Sequence, residues 1–222
     1  MLNVIEKALK SGQKTLSEYE SRQVIESAGV LVAAAALAKT KEEAIQEAEK
    51  MGYPVVMKGC SAELAHKTEA GMVALNINTS EEVAQVFDEL SGKVKNIDGV
   101  LVEKMVKGSR EFVIGLSRDP QFGPCVMFGM GGIFTEALKD VTFRVAPLTK
   151  EDALEMIDEI KTKKLLGEFR GSPAIDRDAL AKALVGVGDL GIKYDAIAEI
   201  DINPLIVCGD KPVAVDALVV LK

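Results

Sequence analysis

Four helix starts are written into this chain in the same way, as an oxygen-bearing cap followed by apolar residues at helical spacing. Thr40 with Glu43 forms a capping box ahead of Ala44, Ile45, Ala48 and Met51, and Gly52 stops that helix before Pro54. Thr79 with Glu82 repeats the pattern ahead of Val83, Val86, Phe87 and Leu90. Thr149 precedes Ala153, Met156, Ile157 and Ile160, and Asp176 precedes Leu180, Ala183, Leu184 and Val187. Between them lie short β-rich runs at 54–58, 72–77, 99–106, 111–116, 124–129, 196–202 and 212–217. Strands alternating with helices, without internal repeats, predict an α+β or α/β chain whose helices cover sheets. The natural division falls near Lys104 to Gly108. It predicts an N-terminal helical arm at 1–20, a first lobe at 21–103 and a second lobe at 104–222, with a cleft between lobes as the usual place for a ligand.

Composition removes several function classes. The chain has 222 residues, 48% of them hydrophobic and 27% charged, which is enough to bury a sizeable core and too apolar for disorder. Its net charge of -7 disfavours a nucleic-acid or anionic-membrane surface, because phosphate neutralisation would need a local basic patch. The longest apolar run, at 29–38, is about half of what a bilayer crossing needs, and the N-terminus lacks a signal-peptide pattern. These features predict a cytoplasmic protein. Cys60, Cys125 and Cys208 are odd in number, far apart and flanked by apolar residues, so they read as small core residues and not as a disulfide framework or zinc site.

Several residues carry chemistry by type and position. Lys58 ends a strand and precedes Gly59, as suits either a phosphate ligand or a surface lysine at a strand end. Gly129, Gly131 and Gly132 lie in "FGMGGIFTE", where consecutive amides suit an anion nest or a tight turn. Neither the dinucleotide fingerprint nor the P-loop spacing is present. Arg144 alternates with Phe143 and Val145, so its fork suits an exposed strand face or a phosphate. The single histidine, His66, sits in the polar stretch "AELAHKTEAGM".

The acidic row "AEIDINPLIV" is the most informative. Glu199, Asp201 and Asn203 alternate with Ile200 and Ile202, so three oxygen-bearing side chains leave one face of a strand while the isoleucines enter the core. Asp216 ends a following run that can pair antiparallel to the first across "CGDKP". A few hard oxygen ligands completed by phosphate and water match Mg²⁺ bound with a nucleotide; a solvated polar strand face is the plainer alternative.

Together "TLSEYESRQVIESAGV", "GYPVVMKGCSAELAHKTEAGMVALNI", "FGMGGIFTEALKDVTFRVAPL" and "EIDINPLIV" resemble the ATP-grasp subunit of the NDP-forming acyl-CoA synthetases. More closely, they look like the β subunits of ADP-forming acetate-CoA ligases. The likeness runs through the whole chain. It implies an ATP-grasp fold of two α+β lobes with the nucleotide between them. It also implies that Lys58 holds phosphates, that Glu103 and the Met105 backbone read adenine, and that Glu111 faces the ribose. Arg144 with the Gly131 and Gly132 amides would face the transferred phosphoryl group, and Asn203 and Asp216 would hold Mg²⁺, assisted by Asp201. His66 would be the phosphoryl carrier, because a neutral imidazole is a nucleophile near pH 7. ATP or ADP would be the substrate. A partner α subunit with the CoA and acyl-phosphate site, in an α2β2 assembly, would complete an acid-thiol ligase that interconverts acetyl-CoA, ADP and phosphate with acetate, CoA and ATP. Two alternatives stand beside this: an ATP-grasp carboxylate-amine ligase, and a noncatalytic nucleotide-binding regulatory module.

Overall fold

Helices α1 (Leu2–Lys10) and α2 (Glu18–Ser27) open the chain. The computed structural model describes residues 2–62, 71–93, 97–132 and 140–222. The chain divides into two units. The smaller comprises Leu16–Glu20 and Ala33–Met105, and the larger comprises Met1–Thr15, Ser21–Val32 and Val106–Lys222.

The smaller unit runs β1 (Ala35–Ala38), α3 (Lys41–Met51), β2 (Val55–Cys60), β3 (Val73–Ile77), α4 (Ser80–Lys93) and β4 (Gly99–Lys104). Its antiparallel sheet has the order β1-β4-β2-β3. The α3 capping box is present in both directions: Thr40 Oγ1 accepts the Glu43 N–H at 3.2 Å, and Glu43 Oε2 accepts the Thr40 N–H at 3.3 Å. At α4, Thr79 Oγ1 accepts the Glu82 N–H, while the Glu82 carboxylate reaches one residue further back, to the Asn78 N–H. Strand alternation then sorts the side chains. Val55, Met57, Val100 and Val102 enter a core with Ala44, Ala48, Val83 and Leu90 of the two helices. Val56 and Lys58 of β2 stand opposite Glu103 and Leu101 of β4, on the other face of the sheet.

The larger unit continues with β5 (Glu111–Asp119), β6 (Gly123–Met130), β7 (Val141–Val145), α5 (Lys150–Glu159), α6 (Arg177–Lys193), β8 (Ile197–Cys208), β9 (Lys211–Ala214) and β10 (Leu218–Leu221). Its antiparallel sheet has the order β10-β8-β5-β6-β7, with β9 paired to β8. One face buries Ile114, Leu116, Val126, Phe128, Ile200 and Ile202, each at most 1% exposed. Helix α6 approaches this face closely, because a Cβ on Gly191 would collide with Leu116 and Pro124. Both units pair their strands antiparallel, which decides the fold class as α+β; sequence alternation alone left that open.

The division differs from the sequence expectation of 1–20, 21–103 and 104–222, since residues 21–32 group with the larger unit. The cause is pairing across a long sequence separation. Ser21 Oγ accepts the Val219 N–H at 3.1 Å, Arg22 donates to the Val215 carbonyl, and Leu31 O accepts the Ala214 N–H at 2.8 Å. None of the three cysteines forms a disulfide, and only Cys60 is a core residue. Cys125 is half-buried, and Cys208 is exposed because it ends β8 opposite Lys211, where alternation turns it outward from the buried Val207. Among the described residues, no helix is long and apolar enough to cross a membrane.

Candidate functional site

In the smaller unit, the Lys58 ammonium lies 2.9 Å from Glu18 Oε1 and 3.3 Å from Glu103 Oε2, with all three residues buried. Lys58 is therefore not a surface lysine. Glu103, expected only to accept from a base, also steadies this cation. Charges at this depth persist only when paired, so the triad fixes where the ammonium points. Glu18 was not foreseen. Its one sequence signal is the helix start around it, where Ser17 Oγ accepts the Glu20 N–H and the Glu20 carboxylate accepts the Ser17 N–H and O–H. That box places Glu18 in the first turn of α2. Met105 follows β4, and its N–H donates to the Pro54 carbonyl at 3.3 Å. That N–H is thus engaged within the unit.

In the larger unit, β8 carries Glu199, Asp201 and Asn203 as its periodicity predicts, with Ile200 and Ile202 buried between them. Asp216 does not end a strand; it lies in the bend between β9 and β10, both of which pair with β8. Leu218 stands opposite Asp201 in that pairing, so the bend returns Asp216 toward the acidic row. Burial, then the Glu199 and Asp216 carboxylates, push the Asp201 carboxyl up from its ordinary value to about 6. Among the described residues, no three His, Cys, Asp or Glu side chains group closely enough to hold a metal ion alone. A hard cation would have to be completed by the Asn203 amide oxygen and by ligand phosphates. The donors fit Mg²⁺, because they are oxygens in a region of excess negative charge.

The glycine pair behaves differently from the expectation. The Gly131 N–H donates to the Glu111 carbonyl at 2.9 Å, so it is not a free nest donor. The Gly132 N–H points at Asn203 Oδ1 over 3.4 Å. Gly132 has φ +63°, and a Cβ there would collide with the Glu111 carboxylate. These glycines therefore seat Glu111 and Asn203 against the turn that follows β6.

Arg144 is the second correction. It stands in one register row with Val126, Leu116 and Ile200, all buried on the helix-covered face, whereas Asp201 shares its row with Gly115, Met127 and Phe143. Cross-strand partners share a face, so Arg144 leaves the sheet on the side opposite the acidic row. Its guanidinium forks onto Glu159 of α5 at 3.0 and 2.6 Å, and this pairing raises its pKa. Arg144 ties β7 to α5 and is not a phosphoryl ligand in this arrangement. His66 lies outside the described residues.

The chain is 44% identical to the β subunit of ADP-forming acetate–CoA ligase I of Pyrococcus furiosus, over 98% of this chain and 96% of that one. It is 41% identical to ADP-forming acetate–CoA ligase I of Archaeoglobus fulgidus, over 98% of this chain but 32% of that longer one. Acetyl-coenzyme A synthetase 1 of Ca. Korarchaeum cryptofilum, solved with coenzyme A and Ca-AMPCP, superimposes with a TM-score of 0.94 at 41% identity, covering 100% of this chain and 99% of that one. A second structure of that protein, with coenzyme A and Mg-AMPPCP, has its phosphohistidine segment pointing towards the nucleotide binding site; its TM-score is 0.87 at 40% identity, with 100% and 99% covered. The ATP-grasp domain matches residues 7–221. The chain belongs to the ATP-grasp family, among the β subunits of ADP-forming acetate–CoA ligases.

Proposed function

We propose that the chain is the nucleotide-binding subunit of an ADP-forming acetate–CoA ligase, converting acetyl-CoA, ADP and phosphate to acetate, CoA and ATP together with a partner α subunit. The carrying observation is the oxygen row of β8, where Glu199, Asp201 and Asn203 alternate with buried isoleucines and the segment between β9 and β10 brings Asp216 back toward them. Such excess negative charge is what a metal-bound nucleotide neutralises. Asn203 and Asp216, with Asp201, would hold Mg²⁺, which supplies charge neutralisation at the phosphates when bound. Lys58, held by Glu18 and Glu103, would present its ammonium to phosphate oxygens without having to be ordered first. Glu111 would accept from ribose hydroxyls.

His66 would attack the phosphorus of a phosphoryl donor, forming a P–N bond as the bond to the donor oxygen breaks, and would later return the group to the terminal phosphate of ADP. The phosphohistidine segment of the Ca. Korarchaeum cryptofilum relative supports this role. The partner is supported by the subunit naming of the Pyrococcus furiosus relatives and by the Archaeoglobus fulgidus chain, of which this length is 32%. An α2β2 assembly would place one copy of each site in each half.

The test is phosphoryl loading. With γ-labelled ATP and Mg²⁺, the chain should acquire acid-labile, base-stable label, and His66→Ala should abolish both the label and coupled ATP synthesis while leaving ADP affinity within a few fold. Coupled synthesis should appear only when the α subunit is added. A His66→Ala protein that couples at the wild-type rate would overturn the carrier role.

A further inference from the structure

The chain has six arginines. Five of them donate to oxygen: Arg22 to the Val215 carbonyl, Arg110 and Arg118 to several carbonyls, Arg144 to Glu159 and Arg177 to Asp158. Arg170 differs. Among the described residues its guanidinium meets no oxygen, and it lies over the Phe169 ring, 5.4 Å from the centroid. Its backbone sits at φ +47°, a left-handed conformation that side chains other than Asn, Asp and Gly seldom adopt. Gly171 follows at φ +80°, and Phe169 and Ser172 exchange backbone hydrogen bonds at 3.0 and 2.9 Å. The result is a two-residue turn with an arginine where a small residue would relax the chain.

This turn is firmly held. The buried Arg110 guanidinium donates to the carbonyls of Leu165, Gly167, Pro173 and Gly209 at 3.0, 3.1, 2.8 and 3.3 Å, so one side chain anchors both flanks of the turn. Arg170 and Phe169 line a cavity of about 480 Å³ together with Glu111, Ser109, Met130 and Gly132. The cavity thus combines a fork donor lying over an aromatic ring, a carboxylate acceptor and apolar walls. Contact with a ring face restricts a guanidinium, and its planar fork favours two-point binding of a phosphate over capture of a point charge.

We propose that this cavity takes a phosphate-bearing ligand, with Arg170 as its phosphate fork and Glu111 as acceptor for its hydroxyls. The identification of that ligand as ADP or ATP rests on the nucleotide reading above; a free phosphate ion would use the same fork. The left-handed backbone at Arg170 sets where its side chain leaves the turn, and that side chain lines the cavity.

The test is calorimetric titration of the full chain, without metal, with ADP, adenosine and inorganic phosphate, for the wild type, Arg170→Gly and Arg170→Lys. Arg170→Gly should weaken ADP binding by about tenfold, the scale of one charge-assisted contact, and leave adenosine unchanged. The same variant should raise Tm by roughly 2–4 °C, because glycine relaxes the left-handed turn. Arg170→Lys keeps charge and strain, so it should recover part of the ADP affinity with no gain in Tm. Weakening of inorganic phosphate alone, with ADP unchanged, would assign the fork to a free phosphate. Affinity for ADP and phosphate within twofold of the wild type in Arg170→Gly would overturn the proposal. A wild-type chain that fails to bind ADP would instead overturn the nucleotide reading, while the phosphate arm still decides the role of Arg170.

Discussion

The two units treat clustered charge in opposite ways. In the smaller, Lys58 already lies between Glu18 and Glu103, so its ammonium is compensated and fixed. In the larger, Asp201 shares its surroundings with Glu199 and Asp216, and like charge with burial lifts its carboxyl to about 6. One arrangement stores a positioned cation, and the other stores a demand for one. By charge alone, the first kind of site suits an anion and the second a cation.

The largest expected effect breaks the compensated side. Lys58→Met removes the cation from two buried carboxylates and should cost about 3–5 kcal/mol, the usual scale for splitting a buried pair. Urea denaturation measures it, and a loss under about 1 kcal/mol would show that the triad is not a buried charge system. The same variant should bind ADP less tightly with and without Mg²⁺, since the ammonium would act on the phosphate directly.

The second prediction inverts the sign on the uncompensated side. The folded-state pKa of Asp201, about 6, exceeds its ordinary value of 3.8, so the folded chain binds the extra proton between these pH values. Stability from this group therefore rises as pH falls from about 7 to about 4, and the full penalty stands at neutral pH. Asp201→Asn should stabilise the metal-free protein at pH 7.5 by at most about 3 kcal/mol, and the gain should vanish near pH 4. Thermal melts across that range check it; a destabilised variant at pH 7.5 would contradict the crowding of like charge.

A smaller effect separates metal from nucleotide. Asp216→Ala should weaken Mg-ADP binding by roughly tenfold more than metal-free ADP binding, because the lost oxygen acts through the ion. Equal losses in the two titrations would remove Asp216 from the metal set. The smallest effect is a control on the first. Thr40→Ala deletes the exposed cap of α3, costs about 1 kcal/mol, and should leave ADP affinity unchanged, so stability loss alone does not imitate the Lys58 phenotype.

Legibility in the sequence followed the range of the interaction. The caps of α3 and α5 and the acidic row of β8 depend on neighbours within four residues or on period-two alternation, and the structure places each where the pattern indicates. Arg144 shows how far alternation reaches. The pattern put it opposite Phe143 and Val145, which is correct, but which face carries the helices depends on α5 and α6 packing against the sheet. The Gly131 amide was misread for a related reason: a glycine pair after a strand suits a nest, yet the Glu111 carbonyl across the sheet takes that N–H.

The sequence by itself determined that helices and strands alternate, where four helices begin with a matching cap, and that carboxylate, amide and lysine chemistry sits at strand positions. Only the tertiary structure decided that the strands pair antiparallel, that residues 21–32 group with the larger unit, that Glu18 reaches Lys58 from 40 residues away, and that Arg144 turns from the acidic row. The reason is physical. Caps and alternation are set by covalent geometry over a few residues, whereas pairing and buried charge are set by whichever distant groups satisfy each other once water is excluded.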